Sequence, residues 1–266
     1  MSSTDCAFKV FIGYDPREDD AYQVARYSMR RRASKLIDIE PLKLEECQRI
    51  GLYDRPISKR GGVMWDDISE RPMSTSFSLS RFLVPIICKI NQDTDWALFV
   101  DCDMLFLDDI CKLASILDNS KAVLCTKHVH LADSGTKMDG QQQVPYTRKN
   151  WSSFSLYNCK HPSNKKLNLD FFNTVHRDKL HQFSWLEDNE IGDIPLSWNH
   201  LVGYPKPVDH DGMIYPQYDY GKPKNVHFTH GVPSMPGFHD CEYADEWRKE
   251  LMMFNKALIE VKSETR

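Results

Sequence analysis

Trp96-Ala97-Leu98-Phe99-Val100 is an unbroken apolar run that stops on Asp101-Cys102-Asp103. A segment apolar on both alternating faces suits a strand covered on both sides, as in a sheet with helices packed against it. The pattern upstream agrees. Phe8 to Tyr14 reads as a buried strand closed by Asp15-Pro16. From about Asp19, the residues Ala21, Val24, Ala25 and Ser28 fall on one helical face. Leu36 to Leu42 reads as a second strand. Strand, helix, strand at the start of the chain predicts an α/β fold with a mostly parallel, twisted sheet flanked by helices.

Downstream the signals vary in strength. Residues 46–75 are polar, carry Gly61-Gly62 and read as a long loop region. Phe77 to Ile90 has helical periodicity, with a kink expected at Pro85. Asp108-Asp109 are suited to start a helix reaching about Leu117. Ala122 to Cys125 and Ser152 to Tyr157 read as strands, Leu167 to His176 as a helix, and Asn225 to Thr229 as a late strand. Asp209–Lys224 is turn-rich, and His128–Lys149 has no period; a segment of that length is more often functional than idle. Trp247, Leu251, Phe254, Leu258 and Val261 place a closing amphipathic helix over about 243–262. No repeat or linker divides the chain, so one domain spanning 1–266 is expected. Its nucleotide-binding half would cover about 1–127 and its sugar and acceptor half about 128–242.

Charge and cysteine usage narrow the function. With 34 basic and 38 acidic side chains the formal charge is −4, which gives no electrostatic footprint for nucleic acid. No run of about 18 apolar residues offers a membrane-spanning helix, which leaves peripheral association open. The polar start, Met1 to Asp5, lacks an apolar signal core. None of the eight cysteines forms a CxxC pair, and several sit inside apolar runs as small hydrophobes. A reducing, cytoplasmic setting is the resulting expectation.

The chemistry concentrates at the end of the apolar run. In open α/β sheets ligands bind beyond the carboxyl ends of the strands, where Asp101 and Asp103 are expected. Two carboxylates so close repel one another unless a cation lies near them. Their hard oxygens suit Mg²⁺ or Mn²⁺, bound through one or two carboxylates and substrate phosphates. The alternative is that the pair begins a turn and caps the next helix.

Several segments, in order, resemble the GT-A glycosyltransferases of family eight. Ser80-Arg81-Phe82-Leu83-Val84-Pro85 followed by Trp96 to Phe106 is similar to their Arg-bearing helix and DxD strand. Ile12-Gly13-Tyr14-Asp15 resembles their first strand and nucleotide turn. Val226-His227-Phe228-Thr229-His230-Gly231 resembles the strand that supplies a metal-binding histidine, and Ile194 to Asn199 their Leu-Pro-x-x-Trp-Asn stretch. Arg148 to Ser153 is most similar to a poorly characterised bacterial-type subgroup.

The resemblance implies a GT-A, Rossmann-like domain that transfers a hexose from a UDP-sugar to a hydroxyl on a glycan, lipid or other acceptor, with retention of configuration. Asp101, Asp103 and His227 would hold Mn²⁺ (or Mg²⁺). Gly13, Tyr14 and Asp15 would contact uracil and ribose, and Arg81 the donor sugar or its phosphates. Asn150, Trp151, Ser152 and Ser153 would face the sugar and acceptor, and Gly231 would let backbone approach a phosphate. Since His230 lies three residues on, it is expected on the opposite strand face.

Two features depart from the family pattern. Its Lys-Pro-Trp ending is replaced by Gly231-Val232-Pro233-Ser234-Met235-Pro236, so phosphate charge falls to the metal, Arg81 or Lys149. The family's Asp-Gln pair has no clear counterpart; Glu187-Asp188-Asn189-Glu190 is the nearest polar cluster, and Asp188 is chosen as the catalytic carboxylate against the alternative of a solvated acidic turn. One of Trp151, Trp185 and Trp198 is expected to line the cleft, and His128–Lys149 to act as a lid or acceptor loop. Two other readings remain open here. One is a phosphohydrolase of the haloacid-dehalogenase type, which has a similar strand and DxD although Leu105 replaces its usual Thr or Val. The other is a nucleotide-sugar-binding protein of the same fold without catalysis.

Overall fold

A computed structural model describes residues 4–128, 151–204 and 221–264. The chain begins with β1 (Lys9–Tyr14), α1 (Asp19–Arg32) and β2 (Ile39–Lys43). Next come α2 (Leu44–Arg49) and the short strands β3 (Ile57–Arg60), β4 (Val63–Asp66) and β5 (Arg71–Met73). Then α3 (Val84–Asn91), β6 (Trp96–Val100), β7 (Met104–Phe106) and β8 (Val123–Cys125) follow. After residue 150 come β9 (Phe154–Asn158), α4 (Leu169–Thr174), α5 (Arg177–His181) and β10 (Ile191–Asp193). The last elements are β11 (His200–Leu201), β12 (Asn225–His227) and α6 (Ala244–Glu264).

The main sheet has the order β10-β8-β9-β6-β1-β2. Its strands are parallel except β9, which runs antiparallel to both neighbours. All five residues of β6 and all five of β9 are buried, as the apolar run demands of central strands. On one face, α1 turns Ala21, Val24, Ala25 and Ser28 inward. Because β9 is antiparallel, its amino end lies at the same sheet edge as the carboxyl ends of β1, β2, β6, β8 and β10. That edge therefore gathers loops from all six strands.

The chain changes sheets at Asp101-Cys102-Asp103. Strand β6 ends just before it in the main sheet, and β7 leaves it to join a second sheet of order β11-β12-β7. There β7 pairs antiparallel with β12, setting Met104 opposite His227. The corner is fixed from outside by Ser28, whose hydroxyl accepts the Phe106 amide at 3.1 Å.

Three local expectations change. Residues 46–75 are not simply a loop: they hold α2 and the antiparallel sheet β3-β4-β5. The short polar strands carry too little apolar alternation to stand out, and a buried ion pair anchors them instead. Pro85 does not kink a helix. It lies in the first turn of α3, where its missing N–H costs nothing. Along α6, Trp247 is buried, but Leu258 is 41% and Val261 58% exposed, so the apolar stripe is covered only over its first turns. That covered part is pinned to α1 by Glu250, which accepts from Arg31 and Arg32 at 2.6 Å each.

Arg55 and Asp66 form the anchor of the small sheet. Both side chains are fully buried, with Nε–Oδ1 and Nη2–Oδ2 contacts of 3.0 and 2.7 Å. Arg55 also donates to the carbonyls of Phe172 and Val175, tying β4 to α4. Removing one partner leaves the other charge buried and uncompensated. Asp66→Ala should therefore lower stability by about 3–5 kcal/mol, read as a fall in the urea midpoint.

Candidate metal centre

Asp101 and Asp103 emerge from the sheet edge because they are the first polar residues after β6. The Asp101 amide donates to the Ser153 carbonyl at 3.0 Å, which extends the β6–β9 pairing to the acidic pair. The Asp103 carbonyl accepts the Phe228 amide at 2.9 Å, extending the β7–β12 pairing to the same point. His227, the last residue of β12, is thereby brought beside both carboxylates. Its Nε2 stands 3.2 Å from Asp103 Oδ1 and 3.9 Å from Asp101 Oδ2. One potential ligand atom from each residue lies within 4.8 Å of the others.

The electrostatics of this cluster concentrate negative charge that a cation could neutralise. Asp101 Oδ1 and Asp103 Oδ1 are buried and accept no well-aligned hydrogen bond; their near neighbours are cationic or titratable nitrogens, Arg81 Nη2 at 3.0 Å and His227 Nε2 at 3.2 Å, and each oxygen keeps lone-pair capacity. Burial raises the Asp101 carboxyl to about 6, with Arg81 opposing and the Asp103 charge adding. Burial works against a charged His227 ring, yet Asp103 and then Asp101 outweigh it and hold the ring above its usual value. Two carboxylates and an imidazole, with one potential ligand atom each inside a 4.8 Å cluster, fit a divalent ion such as Mn²⁺ or Mg²⁺.

Arg81 stands beside this cluster. Its Nη2 is 3.0 Å from Asp101 Oδ1, and its Nη1 donates to the Ser152 carbonyl at 3.2 Å. The guanidinium lies over the rings of Phe77 and Phe99, at 5.6 and 5.0 Å from their centroids. Stacking between aromatic faces suits a planar cation that must stay buried. Ser152 in turn holds His181, with 3.0 Å between Oγ and Nδ1. Beneath the pair, the Cys102 thiol donates to Glu18 Oε2 at 3.0 Å; burial first, then the Asp103 charge, raises Glu18 to about 7.

The expected nucleotide turn lies at the same edge. Gly13 has a packing reason to be glycine: a Cβ there would sit 2.4 Å from the Phe77 ring. Tyr14 packs edge-on against Tyr22 and donates to Asp19. Asp15 is fully occupied. It accepts from the Arg17 amide and guanidinium and from the Ser76 amide and hydroxyl, at 2.8 to 3.1 Å. A ribose reaching this carboxylate has to displace one of these donors.

The remaining sequence candidates divide. Ser152 and Ser153 join the cluster. Gly231 follows it at φ 152°, and a Cβ there would meet Phe238 at 2.5 Å. Of the three tryptophans, Trp185 and Trp198 are buried, whereas Trp151 is half-buried at the edge, its indole donating to the His128 carbonyl. Asp188 is not brought to this edge. It precedes β10, which is parallel to β6, so it lies at the opposite, amino end of the sheet, exposed in a helical turn. Its neighbours Glu187 and Glu190 form that turn's capping box. The carboxylate that β10 does deliver to the near edge is Asp193, 3.1 Å from Lys127 Nζ. Its position at a strand's carboxyl end was the available signal, and three residues are too short a strand to be seen in the sequence. Asn150, Lys149 and almost all of the 128–149 segment lie outside the described residues.

With this geometry in place, comparison with known proteins is informative. Protein CDI of Arabidopsis thaliana is 43% identical over 255 residues, covering 96% of this chain and 90% of its own. The chain belongs to the protein CDI family. No protein-family model matches it. The relative is from a plant, whereas the Arg148–Ser153 segment suggests a bacterial-type subgroup.

Among solved structures, the WbbM bifunctional glycosyltransferase superposes at a TM-score of 0.59 with 16% identity, over 94% of this chain. This chain spans about half (51%) of that one. The galactosyltransferase LgtC, solved with donor and acceptor sugar analogues, gives 0.54 with 14% identity over 92% of this chain and 96% of its own. GlyE of Streptococcus pneumoniae gives 0.54 with 14% identity, over 97% of this chain and 64% of its own. At such identities the likeness establishes the fold, which is the GT-A fold in a single α/β domain.

Asp15 gives a test of the turn. Burial tends to raise its carboxyl, but the Arg17 donors and the Ser76 amide outweigh this and lower it from 3.8 to about 2. A carboxyl depressed in the folded state stabilises above its unfolded value and loses that contribution as pH falls through the folded one. Asp15→Asn should cost about 2 kcal/mol at pH 7. The gap to the parent protein should close as pH drops from about 4 toward 2, measured by urea unfolding across that range.

Proposed function

We propose that the chain is a metal-dependent glycosyltransferase, moving a hexose from a UDP-sugar to a hydroxyl acceptor with retention of configuration. The observation that carries this reading is the convergence of Asp101, Asp103 and His227 at the carboxyl edge of a GT-A sheet. The family-eight resemblance supplies the finer terms: uridine as the base, Mn²⁺ as the metal, retention as the outcome. When bound, the metal would neutralise the diphosphate as it leaves.

The chain's own residues have definable parts. Asp101, Asp103 and His227 would hold the ion. Arg81 is held by Asp101, the Ser152 carbonyl and two aromatic rings, so it presents fixed positive charge next to the ligands. Such preorganised charge, kept from bulk water, acts where negative charge develops. Gly13 to Asp15 and Gly231 border the space for base, ribose and phosphates, and Trp151, Ser152 and Ser153 the sugar side. Asn150 belongs with that side in the sequence reading. Acceptors carrying free hydroxyls, glycan or lipid, fit this reaction, and a cytoplasmic setting fits the free cysteines.

Asp188 stands apart, at the wrong sheet end to touch a reacting carbon near Asp101. Asp103→Asn should reduce metal-dependent turnover about 100-fold or more, since metal assistance contributes several kcal/mol. Asp188→Asn should stay within about twofold of the parent, each fold-change being read as a difference in barrier height. Equal losses in the two variants would count against this division of roles.

Thermal unfolding with UDP, GDP and TDP and their sugars, each with and without Mn²⁺, tests donor and metal together. Binding at about 100 times Kd adds roughly 2.7 kcal/mol of stability. UDP stabilising only with Mn²⁺ is the expected pattern. Stabilisation with neither hydrolysis nor transfer would favour the non-catalytic reading. Rapid release from a chromogenic phosphomonoester with Mg²⁺ would instead favour the phosphohydrolase.

A further inference from the structure

Asn199 is completely buried, and each polar atom of its side chain is used. Its Nδ2 donates to Thr126 Oγ1 at 2.9 Å and Ser153 Oγ at 3.0 Å. Its Oδ1 lies 2.9 Å from His227 Nδ1, on the opposite side of the ring from the Nε2 that faces Asp101 and Asp103. The residue is held from both sides. Its amide donates to the Leu196 carbonyl, while Ser153, which anchors its side chain, also anchors the Asp101 amide through its carbonyl.

The geometry points to Asn199 as the positioning residue for His227: its side-chain carbonyl accepts the Nδ1 proton, fixing the ring so that Nε2 is the nitrogen offered to a metal. This inference rests on the metal reading above and deepens it. A histidine ligand needs its second ring nitrogen committed elsewhere, because that bond selects the tautomer and stops the ring rotating. The amide is oriented for the task, with its two N–H groups directed at two hydroxyls and its oxygen left for the imidazole. A closed ring of contacts results: Asp101 to Ser153, Ser153 to Asn199, Asn199 to His227, and His227 back to the carboxylates. Asn199 touches neither carboxylate ligand and acts through His227.

Two variants and one spectrum test this. In metal-free wild-type protein, nitrogen-15 NMR should show a slowly exchanging proton on His227 Nδ1, and Asn199→Leu should remove or shift it. Mn²⁺ binding, followed by the electron paramagnetic resonance of the free ion, should weaken about 10- to 100-fold in Asn199→Leu, the usual effect of losing such a partner. Asn199→Asp should recover affinity to within about threefold, because a carboxylate accepts from the imidazole and both hydroxyls can turn to donate to it. An unprotonated Nδ1 in the wild type would overturn the inference. So would wild-type Mn²⁺ affinity in Asn199→Leu, or Asn199→Asp binding as weakly as Asn199→Leu. If the Nδ1 proton depends on Asn199 but wild-type protein binds no divalent ion, the positioning contact stands and the metal reading fails.

Discussion

Strand β6 lies between β1 and β9 in the middle of the main sheet, and its burial on both faces governs the rest of the structure. No polar side chain can be carried inside it without a partner, since unpaired polar groups are costly there. The first polar residues, Asp101 and Asp103, are therefore placed at the sheet edge. The strand that follows leaves the main sheet, in which β1 and β9 already flank β6. It turns at the fully buried Cys102 and pairs with β12. His227 arrives beside the aspartates as a consequence of that pairing, across more than a hundred residues of sequence.

Such a cluster is costly for the folded protein unless its charges are managed. Burial and the mutual repulsion of the carboxylates raise Asp101, while Arg81 supplies a fixed opposing charge. The His227 ring supplies another, with its far side held by Asn199. The result is a cluster organised by the protein alone: backbone bonds from two sheets set the positions, and Ser153 and Asn199 set the orientation. A cation entering it displaces little protein, which is the preorganisation that strong binding and electrostatic catalysis both require.

The legible parts of this architecture were those with local signatures. The Trp96–Val100 run, the α1 face and the Asp-x-Asp pair announce themselves through burial and period. His227 was reached through resemblance, since a lone histidine near a strand end has no distinguishing mark of its own. Asp188 illustrates what local reading lacks. Whether an acidic cluster lies at a strand's amino or carboxyl end depends on where the strand starts, and the three residues of β10 are too few to show it. The 57–73 strands escaped for a different reason: their place is set by Arg55 and Asp66 meeting α4, a tertiary constraint with no periodic trace.

Asp15, expected at a nucleotide turn, also has a structural job. Its place at the end of β1 was readable, and the expected partner there was a nucleotide. In the folded chain its carboxylate joins Arg17 to Ser76, while the Arg17 guanidinium also reaches the Ser74 carbonyl. The bonds that depress Asp15 thus hold the 74–76 segment against the β1 turn, and the helical turn from Ser80 that carries Arg81 begins a few residues later. Phe77, between them, packs against Gly13 on one side and Arg81 on the other. Asp15 and Gly13 therefore help determine where Arg81 stands, so the turn after β1 and the Asp101–Asp103–His227 cluster form one mechanical unit. A substitution at either end of that unit should be felt at the other through Phe77, without any direct contact between them.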